Sequence, residues 1–167
     1  AGENFNLAVS AQCANDTVTP NFEMADIPLS VTTIAPNLGN SVSLGVNTIS
    51  LVDADNGTAT LNNQTISEVG VFTITATPAN NGYFGQTIPA ATSNNLGRFI
   101  PDHFTLAAST VSNANGNFTY MSQPELEFTY NIEAQNASNE VVQNYTGSFV
   151  KSSIELVAED VPALAAN

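Results

Sequence analysis

Few residues in this chain are of a type and spacing that could do chemistry. Asp53-x-Asp55-Asn56-Gly57 sets oxygen donors two residues apart on a short loop, the hard ligands that Ca²⁺ prefers. The later ligands and the closing Glu of an EF-hand do not follow. Asn56-Gly57 is also the mark of a tight hairpin, which is the preferred reading, with calcium at Asp53 and Asp55 as the alternative. Glu125 and Glu127 lie two apart on a strand-like run and so share a face. Paired carboxylates hydrolyse glycosides when they flank a cleft. Here Phe128, Tyr130 and Ile132 continue the run as core material, so the pair reads as the solvated start of a strand. Lys151, the sole Lys, reads as a solvated or edge-protecting strand charge rather than the amine of a Lys–Asn crosslink. Cys13 has no second Cys to pair with. It is expected as a small buried apolar residue, with a disulfide to a segment outside this chain as the second choice.

The remaining candidates cluster at Gly97-Arg-Phe-Ile-Pro-Asp-His-Phe104, which holds the only Arg and the only His. Pro101 fixes its own φ and pushes Ile100 to extended geometry. With large apolar residues and no Gly/Ser run after Gly97, the stretch reads as a stiff joint between two modules: Arg98, Phe99, Pro101, Asp102, His103 and Phe104. Arg98, Asp102 and His103 are expected to form a polar knot, and Phe99, Ile100 and Phe104 to be buried between the modules. No nucleophile accompanies them, so the knot reads as structural and no catalytic residue is assigned.

The elements that must position these groups are strands. Apolar residues alternate with period two in Phe5-x-Leu7-x-Val9, Pro28–Thr33, Val42-x-Leu44-x-Val46, Ile49-x-Leu51, Thr58–Ile66 and Phe72-x-Ile74-x-Ala76. Beyond the joint come Phe104-x-Leu106, Phe118-x-Tyr120, Leu126-x-Phe128-x-Tyr130-x-Ile132 and Ile154-x-Leu156. Short strands broken by Gly, Asn and Pro predict an all-β, immunoglobulin-like β-sandwich. The chain also repeats itself. Phe5 aligns with Phe128, and the same offset pairs Val9 with Ile132, Ala11-Gln12 with Ala134-Gln135, Val18 with Val141, Asn21 with Asn144 and Phe22 with Tyr145. Two modules in tandem are expected, residues 1–97 and 98–167. The first lacks the strand that opens the second, and the second holds only its front part. Unpaired edges of this kind invite packing between modules or a dimer through sheet edges.

Composition narrows the partners. Of 167 residues, two are basic and fifteen acidic, giving a net charge of −13, so nucleic acid and anionic membrane surfaces are disfavoured. Charged residues are only 10% against 43% hydrophobic, enough to build a core. No run is apolar and long enough to span a bilayer, so no direct membrane insertion is expected. The start at Ala1, without an initiator Met or signal peptide, suggests an excised piece of an exported protein.

Two resemblances follow. Phe5-Asn-Leu-Ala-Val-Ser-Ala11 through Val18-Thr-Pro-Asn-Phe22, Asp55-Asn-Gly-Thr-Ala-Thr-Leu61 and Val69-Gly-Val-Phe-Thr-Ile-Thr-Ala76 resemble a bacterial immunoglobulin-like module over about residues 1–90. The joint with Phe118-Thr-Tyr-Met-Ser-Gln123 and Asn144-Tyr-Thr-Gly-Ser-Phe-Val-Lys151 resembles the extracellular region of MshQ-like proteins, encoded with the mannose-sensitive haemagglutinin (MSHA) type IV pilus system, over about residues 95–152. A Cys often precedes the Phe-Thr-Tyr motif in that family. Here the segment reads Asn113-Ala-Asn-Gly-Asn-Phe118 and has none. The resemblance implies a non-enzymatic, cofactor-free structural or adhesive module at the bacterial cell surface. Its implied partners are other modules of the same parent chain and pilus components or a surface glycan. A carbohydrate- or calcium-binding sandwich is the alternative.

Overall fold

The computed structural model describes residues 1–37, 39–118, 120, 124 and 127–155. These form nine strands: β1 Phe5–Ser10, β2 Met24–Ala35, β3 Thr48–Leu51, β4 Thr58–Gln64, β5 Gly70–Ala76, β6 Ala91–Thr92, β7 Leu96–Phe99, β8 His103–Ser112 and β9 Glu127–Gln135. All pairings are antiparallel. The chain is all-β.

The first module is a two-sheet sandwich. One sheet is β1–β4; the other runs β3-β2-β5, with β6 and β7 both on the far edge of β5. Alternation builds the interior. In β1, Phe5, Leu7 and Val9 turn inward while Asn6, Ala8 and Ser10 face water. They meet Ile27, Leu29, Ile49, Leu51, Phe72, Ile74 and Ala76 of the larger sheet across one core. Between β6 and β7 the ladder is bridged at Ser93, whose N–H donates to the Ile74 carbonyl while its Oγ accepts the Ile74 N–H. Residues 91–99 thus run along β5 as one interrupted strand.

Two sequence expectations change here. Val42–Val46 is not a strand. It is held as a loop by the fully buried Gln64, whose Nε2 donates to the Val46 carbonyl (2.7 Å) and whose Oε1 accepts the N–H of Val46 (3.0 Å) and Thr65 (2.9 Å). The segment also makes one antiparallel bridge, Leu44↔Ile66, in which the Gly45 N–H donates to the Thr65 carbonyl and the Ser67 N–H to the Ser43 carbonyl, so its pairing stops at a single bridge. Leu96–Phe99, of which Gly97–Phe99 was read as the front of the joint, is β7 of the first sandwich and spans the expected 97/98 boundary. Gly97 has φ +103, and a Cβ there would fall 2.9 Å from the Gly70 carbonyl oxygen, so this close strand crossing needs glycine.

Beyond the joint, β8 and β9 pair from His103↔Gln135 to Ser112↔Glu127, with an irregularity between Leu106 and Ala108. Phe118-x-Tyr120 forms no named strand; Phe118 makes a single bridge to Asn115. Leu126 and Leu156 lie outside the described residues.

The internal repeat is visible in the backbone. Gln12 bridges Val18, and at the same offset Gln135 bridges Val141. The Thr19 N–H donates to the Ala11 carbonyl, and the Val142 N–H to the Ala134 carbonyl. Cys13 N–H to Thr17 and Asp16 N–H to Cys13 recur as Asn136 N–H to Glu140 and Asn139 N–H to Asn136. The left-handed residues coincide too: Asp16 at φ 63 and Asn139 at φ 62. Asp and Asn tolerate this region where branched side chains do not. Asn139→Val is therefore expected to lower stability by about 1–2 kcal/mol, whereas Asn139→Gly leaves it within about 0.5 kcal/mol. Urea titration of the three proteins checks this.

Candidate functional site

The described contacts between the modules concentrate where the 136–149 segment of the second meets the N-terminus and the 67–69 segment of the first. Ala1, Val69, Ala134, Val142 and Phe149 form a small buried cluster separate from the main core. Beside it Glu68 is almost wholly buried. Its carboxylate accepts the Gln143 N–H at 2.9 and 3.1 Å and the Asn144 N–H at 3.1 Å. A buried carboxylate is costly unless hydrogen-bonded, and two backbone donors satisfy it here. Asn136 donates through Nδ2 to the Ser67 carbonyl (3.1 Å) and to Glu140 Oε2 (2.9 Å). Asn144 Oδ1 accepts the Asn40 N–H at 2.7 Å. Gly39 lets that side chain approach, since a Cβ there would lie 3.0 Å from Asn144 Oδ1. The Ala137 N–H donates to the Ala1 carbonyl, and the Ala1 ammonium to the Ile100 carbonyl.

The predicted joint residues divide between several places. Phe99 is half-buried in the first core against Phe5 (5.8 Å between ring centroids) and Phe72 (5.6 Å). Arg98 does not join the expected knot; its guanidinium lies over the Phe149 ring at 5.3 Å, a cation–π contact across the joint. Asp102 and His103 do pair, Nδ1 to Oδ2 at 2.8 Å, and His103 Nε2 lies 3.1 Å from Gln135 Oε1, tying the start of β8 to the end of β9. Pro101 follows Ile100, which is exposed, as is Phe104. Phe104 lies opposite Ala134 on β9, on the same face of the pair, and meets Tyr145 with 5.5 Å between ring centroids. The Tyr145 hydroxyl takes the backbone N–H of Lys151 and Ser152. Its pKa is held below the usual phenol value, first by a hydrogen bond from the Ser152 side chain.

Other candidates are dispersed. Asp53 and Asp55 lie in a 3₁₀ turn where Asp55 Oδ2 accepts the Val52 N–H at 2.9 Å, so one carboxylate is engaged with backbone. Among the described residues no group of three or more His, Cys, Asp or Glu could hold a metal. Calcium at millimolar concentration is expected to leave the melting temperature within about 1 °C, because mass action stabilises only where the native state binds; differential scanning fluorimetry checks it. Glu127 opens β9 and is exposed; Glu125 lies outside the described residues. Lys151 is exposed. Cys13 is exposed rather than buried, since it sits in the 13–17 turn and not on a strand's inner face.

Sequence reasoning did not single out Glu68, Asn136 or Asn144 as joint residues. A signal existed for Glu68, a lone acid between Ile66 and Val69-Gly-Val71 in an otherwise apolar run. None existed for Asn144: its repeat counterpart Asn21 is exposed.

Two family models match the chain: DUF6701, second domain, over residues 1–65, and DUF6701, third domain, over residues 68–166. The chain belongs to the DUF6701 family. The two DUF6701 matches meet at residues 66–67, beside Glu68 and within the first sandwich. No curated protein and no solved structure matches the chain. Among the described residues of this DUF6701 chain, no helix is long and apolar enough to cross a membrane.

Proposed function

We propose that this DUF6701 chain is a non-enzymatic structural and adhesive module of an exported, MshQ-like protein that works beside the MSHA type IV pilus at the bacterial cell surface. The observation that carries the reading is the joint: successive β modules fastened by a buried apolar cluster, the Glu68 carboxylate and the Asn136 and Asn144 side chains. A fastened joint transmits orientation from one module to the next, which a spacer or display element needs and a solitary binding domain does not. The motif resemblance over about residues 95–152 supplies the pilus association. The net charge of −13 suits a soluble exterior and repels nucleic acid.

The test is made on cells carrying the parent gene. Antibody against the purified chain should label intact cells, and in-frame deletion of these residues should reduce surface attachment without removing the pilus fibre. Labelling only after lysis, or unchanged attachment by the deletion strain, would refute the reading. Attachment lost only on one glycan surface would instead make the module a carbohydrate binder.

A further inference from the structure

We propose that the side chains of Thr105 and Gln135 join in a self-formed ester, a covalent clasp across the base of the β8–β9 pair. This does not depend on the pilus reading.

Four side chains beside the joint hold the parts. His103 and Thr105 alternate onto one face of β8, and the ladder sets them opposite Gln135 and Glu133 of β9. Thr105 Oγ1 donates to Gln135 Oε1 at 3.1 Å. His103 Nε2 lies 3.1 Å from the same oxygen, so hydroxyl, imidazole and carboxamide converge on one point. His103 Nδ1 lies 2.8 Å from Asp102 Oδ2, which fixes the ring. A hydroxyl, a base within reach and an acid that orients the base are the arrangement that activates a nucleophile. Here the acyl group is the Gln135 amide of the same chain. Its backbone is held as well, because the Gln135 carbonyl accepts the Asp102 N–H at 2.8 Å. Thr105 and Gln135 are both half-buried, which limits the water that competes with the hydroxyl.

The step balances within the chain. The Thr105 hydroxyl proton passes to His103 Nε2 as Oγ1 bonds to Gln135 Cδ. The adduct collapses by breaking the Cδ–Nε2 bond, and the imidazole returns the proton to the departing nitrogen. A half-turn of the amide about Cγ–Cδ puts Nε2 where Oε1 now lies, against the imidazole that must protonate it. One ester forms, one ammonia leaves, and nothing else is consumed. Strand pairing replaces a bimolecular encounter with held contact, and the ammonia escapes into dilute solution. Each chain reacts once with itself, so the module turns over no substrate. The clasp ties the start of β8 to the end of β9, next to Asn136, whose Nδ2 donates to the Ser67 carbonyl across the joint.

The test is the intact mass of the full 167-residue chain, after purification and after prolonged warming. It should fall short of the sequence mass by one ammonia. Peptide mapping should find one branched peptide joining Thr105 to Gln135, opened by mild alkali to leave Glu at position 135. Thr105→Ala and Gln135→Ala should each keep the full mass, and Thr105→Ser should still form the bond. His103→Ala should lower the crosslinked fraction at least about tenfold. Asp102 is a positioning residue that acts through His103. Asp102→Ala should lower the fraction likewise and Asp102→Glu restore it, with β8–β9 amide protection unchanged in both. If a variant fails to fold, the mass and peptide map of the unaltered chain decide. Full mass in the unaltered chain after warming would overturn the proposal. So would an ammonia loss mapped to a cyclised Asn56-Gly57, Asn81-Gly82 or Asn115-Gly116, or a crosslink that survives Thr105→Ala.

Discussion

Phe72→Ala is expected to cost about 3–5 kcal/mol, the range for truncating a fully buried phenylalanine. Phe72 has no exposed surface. It sits on the central strand of the larger sheet, opposite Thr33 of β2 on one side and Leu96 of β7 on the other. Its ring meets Phe99, which in turn meets Phe5 of the other sheet. The cavity would therefore undo the contact that pins β7, and with it Arg98, in place. Against a total stability of about 5–15 kcal/mol, this removes a large share and should lower the melting temperature by about 10 °C or more. Calorimetry reads the loss, and amide exchange at Leu96 and Phe99 should accelerate with it. A loss below about 1 kcal/mol would mean that the two sheets do not share this core.

Glu68→Ala should cost roughly 2–4 kcal/mol, since it strips a charged acceptor from the N–H groups of Gln143 and Asn144 in a buried place. Its effect should be local. The amides of Gln143 and Asn144 should lose protection while those of β2 and β5 keep theirs. Glu68→Gln keeps one acceptor oxygen and should lose less. Glu127→Ala, at an exposed strand start, is the control and should change stability by no more than about 0.5 kcal/mol. Equal effects at Glu68 and Glu127 would remove the buried carboxylate from the account of the joint.

The strands were legible because alternation is a local signal: Phe5-x-Leu7-x-Val9 and Phe72-x-Ile74-x-Ala76 are β1 and β5 almost as read. The repeat was legible for the same reason, and it carries through to paired hydrogen bonds and matching left-handed residues. The failures came where partners are distant. Val42–Val46 alternates like a strand, but it pairs only through the single Leu44↔Ile66 bridge, with the Gln64 side chain bonded to the Val46 backbone. The Gly97–Phe104 stretch was read as the joint, yet most of the described contacts between the two parts of the chain lie elsewhere. Ile100 and Phe104 are exposed, while Glu68, Asn136 and Asn144 are buried. Polar residues buried by tertiary contact look like solvated ones in sequence, as the pair Asn21 and Asn144 shows. Cys13 was misplaced by its residue type, which favours interiors; its turn decided otherwise.

The most direct test of a fastened joint is orientation in solution. Residual dipolar couplings should be measured for amides of β1–β5 and of β8–β9 in one weakly aligned sample. A single alignment tensor should fit both sets, and Glu68→Ala should split it into two of unequal magnitude. Two different tensors in the unaltered protein would mean that the modules reorient freely, and the rigid spacer would be contradicted.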